Sequence, residues 1–121
     1  MTYKLGARGE ANAIDCYGVT LRVARAMGIE VGDAWRRIFQ EWNETGRIDA
    51  ATGLPAGWHL VADVEAARRK PVAGDVWLLE GDHQGVGIIG PDLRLWTALP
   101  LVGAVALDPH QAPPASEVWR Q

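Results

Sequence analysis

Apolar residues recur at helical spacing downstream of Asp15: Val19, Val23, Ala26 and Met27 share one stripe, while Arg22 and Arg25 lie elsewhere around the cylinder. This pattern predicts a short helix from about Cys16 to Met27, capped by Asp15 and stopped at Gly28. A second helix is predicted from Asp33 to about Thr45, with Asp33 as its cap and Gly46 as its stop. Ala34, Ile38, Phe39 and Trp42 form its apolar stripe, and Arg36, Arg37, Glu41 and Glu44 face water. After a turn-rich stretch from Gly46 to Gly57, Leu60 to Arg69 reads as a third short helix, closed by Lys70-Pro71.

From Pro71 the period changes. Asp75 to Leu79, Gly85 to Ile89, Leu93 to Ala98 and Gly103 to Leu107 are short apolar runs separated by glycine, proline or aspartate, as in an antiparallel meander. Gly90-Pro91-Asp92 is a hairpin-turn candidate, and a proline-rich loop from His110 to Ala115 leads to a last strand, Glu117 to Arg120. Helices first and strands later predict an α+β fold, with N-terminal helices packed on a C-terminal antiparallel sheet. A length of 121 residues suits one domain spanning residues 1–121.

Composition narrows the function classes. Hydrophobic residues at 48 % and charged ones at 22 % describe an ordinary globular chain. A net charge of −3 offers no footprint for nucleic acid. No unbroken apolar stretch approaches a membrane span, and Met1 to Arg8 lacks the apolar run of a signal peptide, so synthesis in the cytoplasm is expected. The lone cysteine permits neither an internal disulfide nor a structural zinc cluster, and no cofactor or metal is expected. Gly85, Gly87 and Gly90 lack the spacing and following helix of a phosphate loop.

The position of that cysteine carries the candidate chemistry. At the first turn of a helix, unpaired backbone N–H groups and the helix dipole favour the thiolate, which is the nucleophilic form. The same N–H groups can donate to a developing oxyanion, and Gly18 leaves the helix entry open to a substrate backbone. The alternative is a small buried apolar residue.

Ile14-Asp15-Cys16-Tyr17-Gly18-Val19 resembles the nucleophile motif of the NlpC/P60 papain-like cysteine peptidases, with Tyr17 similar to the variant of phage tail proteins. Gly28-Ile29-Glu30-Val31 resembles the segment after the nucleophile helix, and Pro71-Val72-Ala73-Gly74-Asp75-Val76 resembles the entry to the first strand of the sheet. Gly85-Val86-Gly87-Ile88-Ile89 resembles the second strand, which opens in that family with the catalytic histidine. Leu95-Trp96-Thr97-Ala98 resembles the third, which carries the orienting polar residue, and Val118-Trp119-Arg120 is similar to the ending of phage members. The resemblance implies a papain-like fold, Cys16 as nucleophile and Thr97 as orienter. It also implies a place in the virion tail beside other tail or baseplate proteins, with peptidoglycan stem peptides as the substrate of an active member.

One departure stands at the base. Gly85 occupies the histidine position, and glycine transfers no proton. His83, two residues earlier, would share the face of Gly85 in an extended strand but lie roughly 7 Å along it, beyond hydrogen-bond reach unless the chain bulges at Gly81-Asp82. His83 otherwise reads as an exposed loop residue, and Thr97 as a good strand former. Nothing in the sequence brings His59 or His110 to Cys16. Six tryptophans are many for this length, and they suit either a ligand cleft or core and interface packing. Three functions follow: a degenerate domain built into a phage tail tip or baseplate, an active thiol endopeptidase of phage entry, or a bacterial amidase of the same fold.

Overall fold

A computed structural model describes residues 2–3, 13–30, 33–45, 56–80, 85–99 and 102–121. Along the chain these form β1 (Thr2–Tyr3), β2 (Ala13–Ile14), α1 (Cys16–Ala26), α2 (Asp33–Thr45), β3 (His59–Leu60) and α3 (Val64–Arg69). Five strands follow: β4 (Val76–Leu79), β5 (Gly85–Ile89), β6 (Leu95–Leu99), β7 (Gly103–Leu107) and β8 (Ala115–Arg120). β1 and β2 pair in parallel, and the other six make an antiparallel sheet in the order β3-β8-β4-β5-β6-β7. The α+β class expected from the change of period is the class observed.

Both ends of α1 follow from side-chain and backbone chemistry. The Asp15 carboxylate accepts from the Gly18 N–H at 2.7 Å, the hydrogen bond of an N-cap. At the other end Gly28 adopts φ 75°, Ile29 N–H donates to Ala24 and Gly28 N–H to Arg25, which closes the helix in a Schellman turn. The turn delivers Ile29 onto the core. α2 has its expected bounds, but the cap expected from the Asp33 side chain and the stop at Gly46 lie outside the described residues.

One expectation is corrected. The predicted third helix from Leu60 begins only at Val64, because Asp63 caps it by accepting from Ala66 N–H at 3.0 Å. His59 and Leu60 instead pair with Arg120 and Trp119 as an edge strand. The last strand lies between β3 and β4 in the sheet. Val118 and Trp119 point to opposite faces of β8 and both are fully buried, Trp119 under residues of α1 and α2 and Val118 against α3 and the proline-rich connection.

Strand alternation sorts the sheet into two cores. Val76, Leu78, Val86, Ile88, Ala98 and Trp119 face α1 and α2, where Tyr17 stacks on Phe39 with ring centroids 4.0 Å apart. Trp77, Leu79, Ile89, Leu95 and Val118 face the other way, onto Ala67 of α3 and onto Ala112 and Ala115 from the proline-rich connection. β4 is thus covered on both sides by the chain's own elements. Trp35, Trp42, Trp77 and Trp119 are fully buried, so these indoles are core and do not line a cleft.

Gly87 permits this second core to close. A Cβ there would fall 2.8 Å from Leu95 Cδ1 and 3.0 Å from the Trp96 carbonyl oxygen, inside any normal contact. Gly87→Ala should therefore cost about 2 kcal/mol in urea unfolding, in the range of core overpacking; an unchanged midpoint would show that the β5–β6 seam is looser than described.

An ion pair locks the sheet's centre. Arg120 Nε donates to Asp75 Oδ1 at 2.8 Å and its second nitrogen donates to Oδ2 at 2.7 Å, a bidentate pair. Asp75 is 1 % exposed and also accepts from the Val72 N–H. The two residues lie 45 positions apart, so the pair ties the entry of β4 to the end of β8.

Candidate functional site

Cys16 stands at the first turn of α1, and α1 lies across β5 and β6. The sulfur is placed beside the Val86 main chain of β5. Paired register between β5 and β6 covers Ile88 with Trp96 and Ile89 with Leu95. Beyond those pairs, side chains serve the main chain of Val86: the Thr97 hydroxyl donates to its carbonyl at 2.7 Å, and its backbone hydrogen-bonds to the Cys16 thiol. Cys16 and Thr97 converge on one backbone position. His83 lies outside the described residues.

The electrostatics run against the sequence expectation of an activated thiol. Cys16 is 3 % exposed, and burial pushes its pKa from an ordinary 9.0 up to about 12. Hydrogen bonding from the Val86, Tyr17 and Cys16 main chains pulls the other way, while the neighbouring Asp15 charge pushes up further. A helix N-terminus is worth about 1 kcal/mol to an anion, less than one pKa unit, whereas full burial can shift a group by about 3 to 5 units. Burial wins. Asp15 also spends the Gly18 N–H, one of the donors that a thiolate or oxyanion would need.

Thr97 is likewise engaged. It is buried, and its hydroxyl proton is directed at the Val86 carbonyl. Thr97→Val should cost about 1 to 2 kcal/mol by leaving that carbonyl unpaired, read as a shift of the unfolding midpoint. A neutral result would show that the bond contributes nothing.

Gly85 is placed on the face away from Cys16. A Cβ on it would lie 3.6 Å from Leu79 Cβ, and Leu79 belongs to the core on the α3 side. Val86, its neighbour, faces α1. An imidazole introduced by Gly85→His would leave the sheet on the wrong side of the sulfur. Gly85→His should leave Cys16 alkylation within about twofold of the parent, since no base would reach the thiol; a large acceleration would contradict this register.

His59 is exposed on the edge strand β3, and His110 is exposed in the β7–β8 connection. Neither is among the groups that act on the Cys16 sulfur. What sequence reasoning missed is the role of Val86, since a main-chain donor and acceptor has no side-chain signature to read. No helix among the described residues is long and apolar enough to cross a membrane. No family model and no curated protein sequence matches the chain.

Proposed function

We propose that this chain is a catalytically silent domain of the NlpC/P60 papain-like kind, acting as a structural component of a phage tail tip or baseplate. The observation that carries the silent half is the Cys16 thiol, sealed beneath the first turn of α1 with its pKa raised to about 12. A nucleophile of acyl transfer needs a lowered pKa or an adjacent base and access to its substrate. Gly85 at the resembled histidine position, facing the opposite core, supports the same reading. So does the Thr97 hydroxyl, already committed to Val86. The tail assignment rests on the order and spacing of the resembling motifs, including the phage-like Tyr17 and the Val118-Trp119-Arg120 ending.

One feature favours the active endopeptidase instead: the sulfur heads a helix packed on the seam where the family's second and third strands would lie. Purified peptidoglycan stem peptides distinguish the two readings. The silent domain releases no product above a Cys16→Ala control, and it binds isolated tail-tip assemblies. Cleavage that disappears in Cys16→Ala, or a free monomer indifferent to tail components, would overturn the corresponding half of the proposal.

A further inference from the structure

Three connections meet at the end of the sheet remote from Cys16 and enclose an open cleft of about 550 Å³. Pro71 comes from the entry to β4, Leu93 and Arg94 from the β5–β6 turn, and Asp108 to His110 from the β7–β8 connection. The volume lies within the range of small-ligand sites. The sulfur sits beside Val86, and β5 runs roughly 10 Å further to Ile89 before this turn begins. The cleft is therefore separate from the thiol and does not depend on the function proposed above.

Each wall is held in place by an aspartate that accepts from a main-chain N–H. Asp75 takes Val72 at 3.3 Å, Asp92 takes Arg94 at 3.2 Å, and Asp108 takes His110 at 2.9 Å. Asp92 also accepts from the Trp96 indole at 3.1 Å, a bond that holds its carboxyl below the usual pKa. A rim fixed in this way loses little conformational freedom on binding. One residue on it is strained: Leu93 adopts φ 61°, a conformation suited to glycine or asparagine, and holds a side chain 50 % exposed at the cleft.

The lining is chemically divided. Pro71, Leu93 and Pro109 give aliphatic surface. The Arg94 guanidinium makes no hydrogen bond or ion pair among the described residues, although it lies in the field of Asp92. The Asp108 carboxylate lines the cleft and has used one oxygen on His110 N–H. A positive fork, a carboxylate acceptor and an apolar wall together match a carboxylate, an N–H donor and a small aliphatic side chain on one ligand.

We infer that this cleft binds the C-terminal end of a short aliphatic peptide, with the terminal carboxylate on Arg94, a backbone N–H on Asp108, and the side chain against Leu93 and the prolines. The test is an NMR titration of the full ¹⁵N-labelled chain with N-acetyl-alanyl-alanine, its C-terminal amide and inorganic phosphate. The free acid should give saturable shifts at the amides of residues 92–94, Asp108 and His110, and the C-terminal amide should bind about tenfold more weakly or worse. Arg94→Gln, an exposed substitution, should produce a similar loss for the acid. Leu93→Gly relieves the strained turn, so it should raise the unfolding midpoint while weakening the peptide. Equal binding of acid and amide, equal or tighter binding of phosphate, shifts centred on Cys16, or no saturable shift at millimolar peptide would each overturn the assignment.

Discussion

At about pH 7.5, Cys16 in the folded protein should react with iodoacetamide two to three orders of magnitude more slowly than in the unfolded chain. Raising the pKa from 9.0 to about 12 cuts the thiolate fraction about a thousandfold at neutral pH. The more basic thiolate is intrinsically more nucleophilic, which returns about tenfold or somewhat more. The 3 % exposure of Cys16 removes that advantage, because the reagent has to wait for an opening. The same shift has a thermodynamic sign. With the folded pKa above the unfolded one, the native state holds a proton that the unfolded chain has lost between about pH 9 and pH 12. Stability from this group is therefore intact below pH 9 and falls as pH rises through that window. A Cys16→Ala variant should lack this alkaline slope. Rapid labelling with no dependence on unfolding would show the sulfur to be accessible and reactive.

The second large effect is expected at the Asp75–Arg120 pair. Arg120→Ala should cost about 3 kcal/mol, because it leaves a carboxylate buried with only the Val72 N–H for company. The value is taken at the low end for buried pairs because Arg120 is 30 % exposed. The hydrogen bonds that the Arg120 guanidinium donates to Asp75 hold its pKa above the usual value, so the pair is favoured in its charged form. Asp75→Ala combined with Arg120→Ala should be less damaging than the sum of the two single changes, with a coupling of about 1 to 3 kcal/mol in a double-mutant cycle. Additive losses would mean that the two residues stabilise the fold independently.

The α+β class and most elements were legible because their signals are local. The stripe Val19, Val23 together with Asp15 and Gly28 specified α1 to within a residue, and the runs at Gly85 and Gly103 are strands at the expected bounds. Pairing order was less legible. Nothing in Glu117-Val118-Trp119 states that β8 inserts beside β4, since its neighbours are chosen by long-range burial of Val118 and Trp119 on opposite faces. Leu60 looked helical because apolar spacing over so few residues cannot separate a helix from an edge strand followed by a capped turn.

At the candidate site, the sequence identified which side chain heads the helix but not the dielectric around it. Cys16 gains its character from Tyr17, Val86 and the α1–sheet packing, which are tertiary facts. Its 3 % exposure is the environment of a small apolar core residue, and the cap of α1 is the preceding Asp15. Thr97 lies on β6, and its bond to the Val86 carbonyl is a contact between strands that no local pattern around Thr97 shows.

The most direct measurement is the ¹³Cβ chemical shift of Cys16 in the folded protein, followed from acid to alkaline pH. An unreactive, sealed thiol gives a flat line through neutrality, with ionisation only near pH 12 or on unfolding. A titration step below neutral pH would establish a thiolate at the head of α1 and contradict the silent reading of this domain.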